Sequence, residues 1–254
     1  MKFEAFAVEN IPLIKKGDDI GQIICERTDI VDGDVIVIAS TIVGKAEGRT
    51  FTLQGIVPGT KAVEISKNSK FSPGFIQAVL DRSNECLISY PILLVEMKNG
   101  HICINAGIDE SNIEGEVFLE LPTDSDMSAE SIGKKIESST GTHISVIITD
   151  TNGRAFKIGQ TGVAVGVYRI HPLKDWRGQR DLFGKELKVT EESVADEIAG
   201  AANLLMGEGN GGYPVVIIRG LKLRSQDNAS VKEMYRSDKE DLIKKSLKYL
   251  RDNI

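Results

Sequence analysis

Cysteine, histidine and aromatic side chains are all scarce in this 254-residue chain. The three cysteines, Cys25, Cys86 and Cys103, are odd in number, far apart and without a CxxC pair. That argues against a disulfide framework or a structural zinc site and points to a reducing compartment. Three histidines (His101, His143, His171) are too few for a histidine-rich metal centre. No apolar run approaches the roughly 20 residues of a membrane span, and the first sixteen residues hold no signal-type apolar core. The chain has no GxxxxGK[ST], no GxGxxG after a strand, no HExxH and no GxSxG, so P-loop, dinucleotide-binding, zincin and nucleophile-elbow chemistries lack their motifs. Positive charge is short as well: 31 Lys plus Arg against 37 Asp plus Glu leave a net −6. Nonspecific nucleic-acid binding runs on a basic surface, so that class is excluded. A hydrophobic content of 41% with 27% charge is that of a folded, soluble enzyme. The expectation is a cytoplasmic protein with neither nucleic acid nor membrane as partner. The sequon Asn228-Ala229-Ser230 is then a coincidence.

Glycine is in excess, at 25 residues, and the excess is clustered. Hydrophobic patterning predicts strands at residues 3–8, 35–39, 93–97, 101–105, 144–149 and 214–218. It predicts helices over 18–26, 73–85 and 128–138, another from the cap Thr190 to a left-handed stop at Gly207, and a last one from the capping-box pattern at 237–240 to about 251. Asn99-Gly100 between two strands is a hairpin signal. Strands and helices interleave without Rossmann regularity, so the fold class is α/β of mixed α+β character, neither Rossmann nor P-loop.

Between these elements lie four polar, glycine-bearing loops, at 40–49, 105–112, 150–154 and 207–212. Loops at strand ends are where α/β proteins place ligand sites. Asp150 follows an apolar strand directly, Asp109 lies just past the hairpin, and Glu208 opens the last loop. This last loop follows a helix C-terminus, where the dipole is negative and a bare anion is disfavoured. A phosphate there needs a cation between. Asp109, Asp150 and Glu208 offer oxygen ligands that suit Mg²⁺ or Mn²⁺ better than Zn²⁺. Lys45 and Arg49 lie near Ser40-Thr41, within reach of a phosphate. Each loop taken singly is equally an ordinary capped turn. Cys103, inside a hairpin strand, reads as core. Asp175-Trp176-Arg177-Gly178 holds the single tryptophan, and a packed aromatic and a stacking platform both stay open.

At these loops the chain resembles a known family along essentially its whole length. The tracts are Ile11-Pro12-Leu13-Ile14, Ser40-Thr41 with Lys45-Ala46-Glu47-Gly48-Arg49, Asn105-Ala106-Gly107-Ile108-Asp109-Glu110-Ser111-Asn112, Ile148-Thr149-Asp150-Thr151-Asn152-Gly153-Arg154, Asp175-Trp176-Arg177-Gly178 and Leu205-Met206-Gly207-Glu208-Gly209. In this order they resemble the archaeal coenzyme F420 γ-glutamyl ligases, the coenzyme F420-0:L-glutamate ligase family. The resemblance implies a GTP-dependent ligase that adds L-glutamate to the phospholactate carboxylate of F420-0, giving F420-1, then a second glutamate through a γ-linkage. It implies divalent-metal ligands at Asp109, Asp150, Thr151 and Glu208, holding two Mg²⁺ or Mn²⁺ ions per site, with K⁺ assisting. It implies GTP contacts at Ile11, Pro12, Leu13, Ile14, Ser40, Thr41, Lys45 and Asn112, and at Met206, Gly207, Glu208, Gly209, Asn210, Gly211, Gly212 and Tyr213. Relatives are homodimers with a two-lobed fold. The expectation here is one functional unit, 1–254, with lobes formed by 1–85 together with 191–254 and by 86–190. Gly44 departs from the family pattern, which commonly has Ser before the Lys; glycine there would still admit a phosphate close to the backbone.

Both organic substrates are anions and the protein is acidic, so local cations must offset repulsion; Arg154, Lys157, Arg177 and Arg219 are the candidates. The expected mechanism is stepwise through an acyl phosphate, with no covalent protein nucleophile. Two alternatives stay open: a related metal- and GTP-dependent ligase or kinase on another carboxylate, and a GTP-binding module without turnover.

Overall fold

The computed structural model describes residues 2–113, 115–227 and 229–253; Asn228 of the sequon lies outside them. In chain order the elements are β1 (Glu4–Ala7), α1 (Ile20–Cys25), β2 (Val35–Ala39), α2 (Ser40–Ala46), β3 (Thr50–Phe51), α3 (Thr60–Ser66), α4 (Pro73–Asp81), β4 (Ser83–Ile88), β5 (Leu94–Met97) and β6 (Ile102–Ile104). There follow β7 (Phe118–Leu119), α5 (Ser125–Thr140), β8 (Ser145–Arg154), β9 (Lys157–Tyr168), β10 (Lys174–Asp175), β11 (Glu191–Glu192), α6 (Val194–Met206), β12 (Val215–Arg219) and α7 (Leu242–Asn253). Among the described residues no helix is long and apolar enough to cross a membrane.

A mixed α/β architecture results, as expected. The central sheet has the order β1-β12-β2-β8-β9, with only β2 and β8 parallel. Alternation along these strands sends side chains to two different helical layers. Ile36, Ile38, Val146, Ile148 and Ile217 pack with Ile20 and Ile24 of α1 and Ala129 and Ile136 of α5. Val35, Val37, Ile147, Val216 and Ile218 pack with Val194, Ala195, Ile198 and Ala202 of α6. Helices thus cover both faces, so β2, β12 and the first half of β8 read as unbroken apolar runs. Each fully buried Ile or Val contributes roughly 1.5–3 kcal/mol of burial energy.

A second core lies within residues 50–119. There α3 and α4 pack on the antiparallel sheet β4-β5-β6 and on the β3–β7 pair, burying Ala62, Phe75, Ile76, Val79, Leu93 and Val95. The central sheet draws strands from both expected lobes, since β8, which carries β9 on its other edge, pairs with β2. The separately cored unit is the shorter stretch 50–119.

Several predicted loops prove to be regular structure. The stretch after β2 is helix α2, whose Ile42, Val43 and Gly44 are buried. Gly44, read as a turn residue that could admit a phosphate, instead sits under β7: a Cβ there would stand 2.7 Å from the Glu120 carbonyl oxygen. Residues 150–154 continue β8 and pair with β9 to its end, Asp150 opposite Val163 and Thr151 opposite Gly162. Polarity misled here because this end of the two-stranded ribbon leaves the core. The Asn99-Gly100 hairpin forms, but only Gly100 has positive φ. The capping box operates at Ser230 and Glu233, not at 237–240, and α7 begins at Leu242 after a turn. Ser193 precedes α6, because Glu191 and Glu192 are taken up pairing with β10. Gly207 has the expected positive φ, but its ψ of −178° extends the chain away instead of closing a left-handed cap.

Candidate active site

β2 ends at Ala39 opposite Thr149, while β8 runs on past it, and β12 starts next to β2, with Val215 opposite Ile38. Four segments leave or enter this edge. After β2 the chain turns into α2 with Ser40 and Thr41 in its first turn. Along β8 come Asp150 and Thr151. Before β12 runs the loop that leaves α6 at Met206, and from the smaller unit β6 leads through Asn105 to Asp109. Between them lies a cleft of about 690 Å³, within the roughly 300–1,000 Å³ of small-molecule sites.

Each acidic side chain in the cleft is held by a neighbour. Ser40 Oγ donates to Asp150 Oδ1 at 2.9 Å. The Ser111 N–H donates to Asp109 Oδ1 at 2.8 Å and Ser111 Oγ to Oδ2 at 2.7 Å. Thr151 Oγ1 and Asn203 Nδ2 both donate to Glu208 Oε1, each at 2.9 Å. Lys45 Nζ donates to the Asn112 carbonyl at 2.6 Å. Asp109 is also anchored through its backbone, which exchanges two hydrogen bonds with Leu119. The chain reaches it through three consecutive positive-φ residues, Asn105 (55°), Ala106 (55°) and Gly107 (65°). For a buried alanine that conformation costs on the order of 1–3 kcal/mol, and such strain clusters where geometry serves a site.

The electrostatics are lopsided. The carboxyl group of Asp150 is enclosed on the cleft floor, although the residue as a whole keeps some exposure. Burial pushes it up to about 6, hydrogen bonds from Ser40 and the Thr151 N–H pull against this, and Asp109 and Glu208 add to the rise. Burial lowers Lys45, and Asp109 partly restores it. Among the described residues that line the cleft, Lys45 is the only basic side chain, facing Asp109, Asp150 and Glu208. Cys103 also lines it, but burial drives its thiol up to about 12, so it is inert, in keeping with the core reading.

The cleft gathers nearly every residue singled out above: Ile11, Pro12, Leu13, Ile14, Ser40, Thr41, Lys45, Asp109, Asn112, Asp150, Thr151, Met206, Gly207, Glu208, Gly209, Asn210, Gly212 and Tyr213. Gly211 is absent from its lining. So are the four candidate cations. Arg154 and Lys157 flank the β8–β9 turn, and Arg154 donates to the Ile158 carbonyl. Arg177 is engaged by Asp175 and Glu191 on the β10–β11 arm. Arg219 corrects its expected role: it lies at the far end of the sheet, paired with the buried Asp34 at 2.8 Å. On the same arm Trp176 donates to Glu192 and lies under Lys174, a packed aromatic outside the cleft. Conversely, the cleft includes Gln160 and Asn203, which sequence reasoning passed over, and Asn105 and Asn152, which it quoted within the 105–112 and 150–154 loops without giving them a role. Uncharged amides carry no motif of their own; the one signal for Asn203 was its place at a helix end five residues before Glu208.

A family model described as F420-0:Gamma-glutamyl ligase matches residues 9–220. The chain belongs to this family. It is 58% identical to the coenzyme F420:L-glutamate ligase of Methanosarcina acetivorans over 250 residues, 98% of each chain. It is 48% identical to the enzyme of that name from Archaeoglobus fulgidus over 248 residues, 98% of this chain and 99% of the other. With the one from Methanothermobacter thermautotrophicus the identity is 43% over 226 residues, 87% and 90%.

The donor set suits a hard cation. Asp109, Asp150, Thr151 and Glu208 offer only oxygen, and three acidic groups against one ammonium leave the cleft lining with an excess of negative charge. As the side chains stand, each turned to its own hydroxyl or amide donor, no three His, Cys, Asp or Glu among the described residues close on one point.

Proposed function

We propose that the cleft binds GTP and joins L-glutamate to the phospholactate carboxylate of coenzyme F420-0, then adds a second glutamate through a γ-linkage. The observation that carries this reading is the convergence of three carboxylates and Lys45 with the two segments, 11–14 and 206–213, in a chain of the F420-0:gamma-glutamyl ligase family. An amide does not form from a free carboxylate, because oxide is no leaving group. The substrate carboxylate therefore attacks the γ-phosphorus of GTP, releasing GDP and forming an acyl phosphate. The amine of L-glutamate then attacks the acyl carbon and inorganic phosphate leaves, with the amine proton passing to solvent.

Divalent ions, Mg²⁺ or Mn²⁺ and two per site, would be held by Asp109, Asp150, Thr151 and Glu208 and would supply charge neutralisation on the triphosphate. The remaining work falls to the chain itself. Ser40 fixes Asp150, Ser111 fixes Asp109, and Lys45 is aimed along the 105–112 loop. Pro12, Leu13 and Tyr213 give the open cleft apolar wall area for a base. K⁺ as an accessory ion, a homodimeric assembly and a cytoplasmic site of action complete the reading.

The test is mass spectrometry of F420-0 incubated with purified protein, GTP, L-glutamate and Mn²⁺. A product heavier by one or two glutamyl units, absent without GTP or metal, is expected. GDP release with F420-0 unchanged would move the acceptor to another carboxylate. GTP binding with neither product nor GDP would mean a binding module.

A further inference from the structure

Glu208 is the most exposed of the three acidic side chains and stands between two glycines, Gly207 and Gly209, on the loop leaving α6. A glutamate in that setting has many rotamers to lose before it can serve any ligand. Here one of its oxygens is already immobilised from two separate elements: Thr151 of β8 and Asn203 of α6 each donate to Oε1, leaving Oε2 without a protein partner among the described residues. A carboxylate only accepts, so the amide nitrogen of Asn203 is the group that faces it. The Asn203 carbonyl meanwhile accepts from the Gly207 N–H. One residue therefore holds both the start of the loop and the end of the side chain.

The two donors are fixed relative to each other by the packing of α6 on the β8–β9 ribbon. Thr151 lies opposite Gly162 across the ribbon, and α6 rests on that glycine. A Cβ on residue 162 would stand 2.5 Å from the Ala199 carbonyl oxygen and 3.0 Å from Asn203 Cβ. Only a glycine lets the helix come this close, and the close approach brings Asn203 to the carboxylate that Thr151 already touches.

We propose that Asn203 is a positioning residue that presets Glu208 for a divalent cation, with Gly162 as the seat that puts Asn203 in place. The proposal rests on the metal reading above. Partners that orient a metal's ligands typically change affinity by about 10–100-fold when removed. The test is Mn²⁺ uptake by the nucleotide-free protein, followed through the electron paramagnetic resonance of free Mn²⁺, with the melting temperature recorded alongside. Asn203→Leu keeps the branched outline of the side chain and removes the donor; it is expected to weaken Mn²⁺ binding about 10-fold with melting unchanged. Asn203→Gln, which keeps a donor on a longer arm, is expected to recover most of that loss. Should the leucine variant not fold, Asn203→Ser, too short to reach Glu208, carries the same expectation. Folded variants that take up Mn²⁺ as the native chain does would overturn the role of Asn203 alone. A native chain that takes up none would overturn the metal reading, and this proposal with it.

Discussion

Asp34 and Asp150 stand at opposite ends of the parallel β2–β8 pair, and the fold treats them in opposite ways. Asp34, fully buried before β2, accepts from Arg219 Nε and from an Arg219 terminal nitrogen, both at 2.8 Å, and from the Val31 N–H at 2.9 Å. Its charge is answered within the chain. Asp150 receives a hydroxyl and a backbone N–H, and the charged groups that act on it are two more carboxylates, Asp109 and Glu208. A buried ion pair closes one end of the sheet as structure, while the other end is left short of positive charge. Uncompensated burial is costly unless something outside the chain supplies the counter-charge. The contrast therefore separates a structural carboxylate from the one proposed for the site more sharply than burial alone does.

Breaking each end should have opposite consequences. Asp150→Ala is expected to lower ligase turnover roughly 100-fold or more, the scale of losing metal-assisted charge stabilisation, while the variant melts no lower than the native chain. Product assays and melting curves on one preparation check both; retained turnover would remove Asp150 from the site. Arg219→Met should do the reverse, costing about 3 kcal/mol, the lower end for orphaning a buried charge because Arg219 is itself partly open. Denaturant titration measures that loss, and a folded variant with lost activity would restore a substrate role for Arg219.

A buried neutral group sharpens the comparison further. His101 is buried, its Nε2 has no hydrogen-bond partner, and burial pushes its pKa down to about 4. The unfolded chain takes up this proton first, near pH 6.5, so the stability due to neutral His101 is present above 6.5 and is lost as pH falls toward 4. Between pH 6.5 and 5 the expected loss is about 1.5 kcal/mol, visible as a falling denaturation midpoint, and His101→Leu should flatten that slope. The smallest effect belongs to a surface pair. Arg251 of α7 bonds the half-buried Glu85 at 2.7 Å, and Lys248 still pairs with that carboxylate when Arg251 is gone, so Arg251→Ala should lower the melting temperature by less than about 2 °C.

Much of the site was legible in the residues because hard-cation and phosphate chemistry demands charged and glycine-flanked positions, and these stand out against apolar strands. Asp109, Asp150 and Glu208 could be picked out that way. The form of the segments carrying them was less legible. Helix α2 looked like a loop because Ser40, Thr41 and Gly44 are turn-rich residues, and the packing of Gly44 under Glu120 was invisible. The polar end of β8 looked like a loop because α6 covers only its beginning, at Gly162 opposite Thr151, and the remainder pairs with β9 toward an exposed turn. Arg219 looked available because its partner Asp34 is 185 positions away.

By itself the sequence determined the apolar strands that must be buried on both faces, the helices that cover them, the acidic character of the site and the family. Those are local properties, set by side-chain chemistry and spacing. Tertiary structure alone decided which charges are answered and which are left open. It assigned Arg219 to Asp34, left Lys45 as the single basic side chain lining the cleft among the described residues, and brought Asn203 over Gly162 to Glu208. Coulomb energy and hydrogen bonding depend on distance in space, and residues far apart in the chain acquire that distance only when the sheet and its helices close.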